Sequence, residues 1–219
     1  MKILAADTAF GACSVAVLED DRILAHRFEA MERGHAEALA PMVDEAMRAS
    51  GVAFSALDRL AVTTGPGTFT GQRVGLAFMR GLRVALKKPL VGITTLEAMC
   101  AAAMAEADTS YAAAIHDARR EEAYLAITSK DGVLVAPEIL SLDAAAKRIA
   151  SIASHDVAIA LAGTGAERAA RDLPRSKLTS IRQPDALWVA RLALLAPESA
   201  EAPHPLYLRA PDAKLPASA

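Results

Sequence analysis

Aromatic residues are scarce, nine among 219 (five Phe, three Tyr, one Trp), so the core has to be built from small side chains together with Leu, Ile and Val. Alanine fills 51 positions, which points to close approach of backbones. Only two cysteines occur, Cys13 and Cys100, with no Cys-x-x-Cys and no Cys/His cluster. A disulfide framework and a zinc knuckle are therefore unsupported, and a reducing, cytoplasmic setting is the expectation. Neither sign of charge dominates: 24 Lys and Arg stand against 26 Asp and Glu, net −2. That excludes gripping nucleic acid by bulk charge, and leaves any RNA contact local or shared. No apolar run approaches the roughly 18 residues a membrane helix needs, and Ile3-Leu4-Ala5-Ala6 before Asp7 is far short of a secretory apolar region.

What the chain does have is a repeat, at an offset of 110 and without a gap. Ile3-Leu4-Ala5-Ala6-Asp7 aligns with Ala113-Ala114-Ile115-His116-Asp117, residues 13–18 with 123–128, Asp21 with Asp131, and Ile23-Leu24 with Val133-Leu134. Each copy reads as an apolar strand ending in Asp, a turn, a second strand, a polar turn and a third strand, an antiparallel meander. Downstream, an apolar strand and Gly65-Pro66-Gly67 have a counterpart in residues 158–162 and Gly163-Thr164-Gly165, each followed by a helical pattern. The spacing predicts helices over 35–49, 70–87, 96–105, 143–153, 166–172 and 185–196 and a strand over 90–93. The first helix carries Ala36, Leu39, Ala40, Val43, Ala46 and Met47 on one face, with Pro41 a candidate for its true start, and Thr94 or Thr95 caps the third. The last 17 residues hold four of the eleven prolines and read as an extended tail. Meander, helix, strand, helix, twice over, is the plan of the actin-like and sugar-kinase α/β fold. Two similar halves, 1–105 and 106–219, each carry a mixed sheet flanked by helices, with nucleotide held in the cleft between them.

The strongest local signal is Gly65-Pro66-Gly67-Thr68-Phe69-Thr70-Gly71-Gln72-Arg73, glycines and hydroxyls at the start of a helix, where free amides can hold an anion. It lacks the Gly-Lys-Ser/Thr of a Walker loop and the spacing of a dinucleotide fingerprint. Gly65, Gly67, Thr68 and Asp7 are thus weak phosphate-site candidates, set against a tight turn that lets a helix pack closely. Gly71, Gly75 and Gly81 lie in the helix that follows, each costing about 1 kcal/mol against Ala. Close contact offsets such a cost, either within the core or at a subunit interface built from Leu39, Val43, Met47, Gly71, Val74, Gly75, Phe78 and Leu82. Arg73, Arg80, Arg83 and Lys87 share one side of that helix and read as a solvated cationic stripe. The turns after Asp7 and Asp117 stand where the superfamily grips phosphate with glycine, yet carry Ala9 and Arg119-Arg120. An ATPase site is degraded on this reading, and the two aspartates are either metal ligands or structural turn residues. The five histidines, His26, His35, His116, His155 and His204, form no His-Glu-x-x-His, and no Gly-x-Ser-x-Gly elbow occurs.

Ile3 to Thr8 with Cys13-Ser14-Val15-Ala16, the run Gly65 to Gly75, Asp117-Ala118-Arg119 with Glu122-Ala123-Tyr124, and Pro205-Leu206-Tyr207-Leu208-Arg209 together resemble the bacterial TsaB (YeaZ) family across nearly the whole chain. Thr68 for the commoner Ser and Gln72 for an apolar residue are mild departures. The resemblance implies a non-catalytic subunit of the machinery that makes N6-threonylcarbamoyladenosine in tRNA. The paralogue TsaD performs the transfer, and the two N-terminal-half helices pair with it. The ATPase TsaE docks near that junction, tRNA is met only through the complex, and without TsaD the same helices form a homodimer. No cofactor is implied for the isolated subunit, ATP or ADP and metal belonging to the assembly: the TsaD metal pair His-x-x-x-His falls on Thr95-Leu96-Glu97-Ala98-Met99, and both ligands are missing. An active actin-like ATPase or kinase, and a metallopeptidase-like enzyme, are the alternatives.

Overall fold

The computed structural model describes residues 1–152, 158–198 and 201–209. β1 (Lys2–Asp7), β2 (Ala12–Glu19) and β3 (Arg22–Ala30) form an antiparallel meander, and β4 (Arg59–Thr63) and β5 (Leu90–Ile93) join it in parallel, in the order β3-β2-β1-β4-β5. The second sheet repeats this with β6 (Tyr111–Arg119), β7 (Glu122–Ser129), β8 (Gly132–Ser141), β9 (Ile159–Ala162) and β10 (Ser176–Leu178), in the order β10-β9-β6-β7-β8. β2 and β7 start 110 residues apart, as do β3 and β8. This is the two-halved actin-like and sugar-kinase arrangement. Central strands such as β4 are buried on both faces, which is why they read as continuous apolar runs.

α1 (His35–Ser50) buries Leu39, Met42, Val43, Ala46 and Met47, while Ala36 and Ala40 of the expected face are exposed. Pro41 does not start this helix. It lies within it on the exposed face, and the buried apolar face holds the helix together. α2 (Phe69–Leu86) follows the Gly-Pro-Gly turn, and α3 (Thr95–Ala107) is capped by Thr94, whose side chain and Glu97 form a reciprocal capping box. α4 (Leu142–Ile152), α5 (Ala166–Ala170) and α6 (Ala186–Leu195) complete the set. Ala153, His155 and tail residues 210–219 lie outside the described residues.

The halves exchange helices. α3 sets Leu96, Met99, Cys100 and Ala103 against Ala112, Ala114 and Ala126 of the second sheet, with Phe10 from the first half in the same cluster. α6 sets Ala186, Val189, Ala190 and Ala193 on Ile3, Ala5, Ala16 and Leu18 of the first sheet. Alanine meets alanine on both seams, so the backbones approach closely. The division at 105/106 therefore follows the sheets but not the helices covering them. Arg59, buried, anchors α6 by donating to the carbonyls of Ala193 and Ala196 at its C-terminus and pairing with Glu198 at 3.2 Å. Among the described residues no helix is long and apolar enough to cross a membrane.

Candidate functional site

The Gly-Pro-Gly turn lodges against the turn between β1 and β2. A Cβ on Gly67 would come within 2.5 Å of the Ala9 carbonyl, and that carbonyl accepts the Thr68 amide at 2.8 Å. Thr68 caps α2, its Oγ1 accepting the Gly71 amide at 3.0 Å, while Thr8 donates its hydroxyl to the Gly71 carbonyl at 2.7 Å. A Cβ on Gly75 would lie 2.7 Å from Thr8 Oγ1. Two of the amides at this turn, those of Thr68 and Gly71, are thus taken by the chain's own acceptors. Gly65 and Gly67 serve the tight turn, and Gly71 and Gly75 pack inside the chain rather than facing outward.

Asp7, at the end of β1, is fully buried. Its Oδ1 accepts Thr63 Oγ1 at 2.6 Å and the Ala9 amide at 3.2 Å, and its Oδ2 has no partner. Burial pushes its carboxyl up to about 7, the two hydrogen bonds opposing the shift. Asp117, its repeat mate, is exposed, and its Oδ1 accepts the Arg119 amide at 2.7 Å. Arg119, Arg120 and Glu121 that follow all have positive φ, with side chains where the superfamily places glycine. Ala9 in the first turn and Arg119-Arg120 in the second stand where glycine would let backbone amides face a phosphate. Among the described residues no group of three or more His, Cys, Asp and Glu is placed to hold a metal ion.

The cleft is also crossed by the chain itself. Residues 203–209 run over the carboxyl ends of β4 and β5: the Leu206 amide donates to the Thr64 carbonyl at 2.7 Å, Arg80 donates to the Pro203 carbonyl, and Arg209 pairs with Glu122 of the second half. Arg73 donates Nε to the Tyr207 hydroxyl at 2.8 Å and lies over the Phe69 ring at 3.5 Å. Of the expected solvated stripe, Arg73 and Lys87 are exposed, while Arg73 and Arg80 also hold this strap.

The residues of the candidate interface differ in burial. Leu39, Val43 and Met47 are buried in the chain's own core with the rest of the α1 face, and Val74, Phe78 and Leu82 are half-buried against the same cluster. The outward strip of α2 is Thr70, Ala77, Gly81, Val84 and Ala85, flanked by Arg73, with Val84 73% exposed. A Cβ at Gly81 would meet nothing within 4 Å, so no packing among the described residues accounts for this glycine. Sequence reasoning missed the strip, although Ala77, Gly81 and Ala85 at four-residue spacing carry the signal for close helix approach. It also missed His116, which stacks on Phe10 with ring centroids 3.8 Å apart. Its Nδ1 is unpartnered, and burial pushes the imidazole down to about 4 against the pull of Asp117.

Comparison with known proteins adds relatives to this geometry. The TsaD family model, described as tRNA N6-adenosine threonylcarbamoyltransferase, matches residues 23–183. The tRNA threonylcarbamoyladenosine biosynthesis protein TsaB of Escherichia coli K12 is 38% identical over 131 residues, 60% of this chain and 56% of that protein. The match thus spans little more than half the length of that relative. Two solved structures from Pseudomonas aeruginosa superpose over almost their full length. One, a protein with similarity to peptidase YeaZ, is 31% identical with TM-score 0.82, covering 95% of this chain and 99% of its own. The other, YeaZ, is 32% identical with TM-score 0.78, covering 94% and 99%.

Proposed function

This chain belongs to the TsaB (YeaZ) family of tRNA threonylcarbamoyladenosine biosynthesis proteins, and from that premise we propose that it acts as a non-catalytic subunit supporting a TsaD-type transferase. The observation that carries this reading is the contrast between its two surfaces. The cleft is bordered by the Gly-Pro-Gly turn and the bulky Arg119-Arg120 turn, and the C-terminal strap runs over it. The outward strip of α2 is small and mostly apolar, and among the described residues nothing packs on Gly81 at its centre. A helix with Ala77, Gly81 and Ala85 in line lets a second helix approach closely, and an apolar strip of this kind favours a covering partner.

On this reading TsaD takes the strip, TsaE docks beside the seam, and a second copy takes the strip when TsaD is absent. ATP turnover and any metal belong to the assembly, and tRNA is engaged through it. Gly81→Leu introduces a bulky side chain into the seam. Overpacking costs about 1 to 3 kcal/mol, or roughly a 5- to 150-fold loss of affinity for TsaD. Because Gly81 has open space around it, the melting temperature of the isolated chain should hold. Gly75→Leu should instead unfold or strongly destabilise the chain through its clash with Thr8. Titration of TsaD into each variant, with light scattering for the homodimer, checks both. Unchanged TsaD affinity for Gly81→Leu places the seam elsewhere.

A further inference from the structure

From Arg59 to Leu96 the chain contains no Asp or Glu, and this stretch holds six of its 24 cations. In a protein of net charge −2 that is a marked segregation. Five of the six lie on α2 or immediately after it: Arg73, Arg80, Arg83, Lys87 and Lys88. At 3.6 residues per turn Phe69, Arg73, Arg80, Arg83 and Lys87 fall within about 80° of one another, so one edge of the helix is cationic along its length and ends in an aromatic ring. The strap adds to this edge. Tyr207 stacks on Phe69 with centroids 5.8 Å apart and planes at 28°, and both rings stay open to solvent, 44% and 56% exposed. Arg73 joins them as a planar cation over Phe69, and His204 sits beside Arg80 at 3.2 Å.

Two half-exposed aromatic rings and a guanidinium, with the exposed Lys87 further along the same edge, form a stacking platform joined to a phosphate contact. Single-stranded RNA is recognised by this combination, an unpaired base on an aromatic or guanidinium plane and its backbone along the cations. We propose that Phe69, Tyr207 and Arg73, with the cationic edge of α2, form a local contact for an unpaired stretch of RNA. The contact lies beside the outward strip of α2, at the rim of the seam with TsaD. It rests on the reading that the chain works in tRNA modification, and gives the complex a contact with RNA contributed by this subunit. The small footprint agrees with the overall charge, which leaves only a local contact available.

The test uses fluorescence anisotropy of a labelled 12-nucleotide oligoadenylate with the full chain, alone and in complex with TsaD, at 20 and 150 mM salt. Phe69→Ala and Tyr207→Ala should each weaken binding about 5- to 150-fold, the range for loss of one stacked base, whereas Tyr207→Phe keeps the ring and should keep the affinity. Lys87→Gln should lower the slope of log K against log salt by about 0.7, the value for one single-strand phosphate contact. Phe28→Ala, an exposed ring on β3, is the control and should change nothing. Melting temperature and TsaD affinity are measured on every variant. Normal TsaD binding with RNA affinity unchanged in Phe69→Ala and Tyr207→Ala overturns the contact while leaving the subunit reading intact. Wild-type chain that fails to bind TsaD overturns the reading itself. If the aromatic variants instead lose only TsaD binding or self-association, the surface takes protein and the proposal fails.

Discussion

Asp7 and His116 oppose each other in pH, and replacing one should expose the other. The native carboxyl of Asp7 titrates at about 7 instead of 3.8, so between these values the folded chain holds a proton that the unfolded chain has lost. Its contribution is complete below pH 3.8 and is lost as pH rises toward 7, at about 1.4 kcal/mol per pH unit. His116 runs the other way. Its imidazole is pushed from 6.5 down to about 4, so over that interval the unfolded chain holds the extra proton. Its contribution is complete above 6.5 and lost as pH falls toward 4, at a similar rate of about 1.4 kcal/mol per unit. From pH 4.5 to 6.0 the two cancel in the wild type. Asp7→Asn keeps a carbonyl to accept Thr63 Oγ1 and the Ala9 amide but removes the proton exchange. Relative to wild type, its unfolding free energy should therefore climb by up to about 2 kcal/mol from pH 4.5 to 6.0. His116→Phe, which keeps a ring on Phe10, should drift down relative to wild type by a similar amount. Urea unfolding at pH 4.5, 5.25 and 6.0 measures both. Variant curves parallel to wild type would refute the claim that these two groups are buried and titrate apart.

Arg59→Met removes the guanidinium that caps α6 and leaves the Ala193 and Ala196 carbonyls unpaired, a loss of about 3 kcal/mol by chemical denaturation. A loss below about 0.5 kcal/mol would mean that α6 is held by packing alone. Both thiols are buried and pushed up to about 12 by that burial, so Cys13 and Cys100 should be silent to a thiol reagent in the native chain at pH 8 and react fully in denaturant. Prompt native reaction of either would contradict the placement of β2 or α3.

The parts legible in the sequence are those with local or repeated signals. Two meanders 110 residues apart align without a gap because β2 and β7, and β3 and β8, begin in register, and the Gly-x-Gly turns after β4 and β9 mark where each helix must pass close to a strand end. The exchange of α3 and α6 between sheets is not legible, since alanine-rich helices carry no periodicity that names the sheet they cover. Pro41 misled because an interior proline on an exposed face is tolerated once Leu39, Met42 and Val43 are buried beside it. The glycines of α2 look alike in sequence. Only the backbone path separates Gly75, pressed on Thr8, from Gly81, facing open space. Asp7 and Asp117 are likewise repeat mates with different fates, because Thr63 reaches the first and solvent the second.

The central claim is that this chain supports the transfer without performing it. The most direct measurement is the yield of N6-threonylcarbamoyladenosine, read by mass spectrometry of digested tRNA, in a reconstitution supplied with an activated threonylcarbamoyl donor and ATP together with the TsaD and TsaE of the same organism. No modified nucleoside should form with the chain alone, and full yield should need the wild-type chain alongside its partners, falling with Gly81→Leu in step with TsaD affinity. Modification by the chain alone, or undiminished yield when it is left out, would contradict the account.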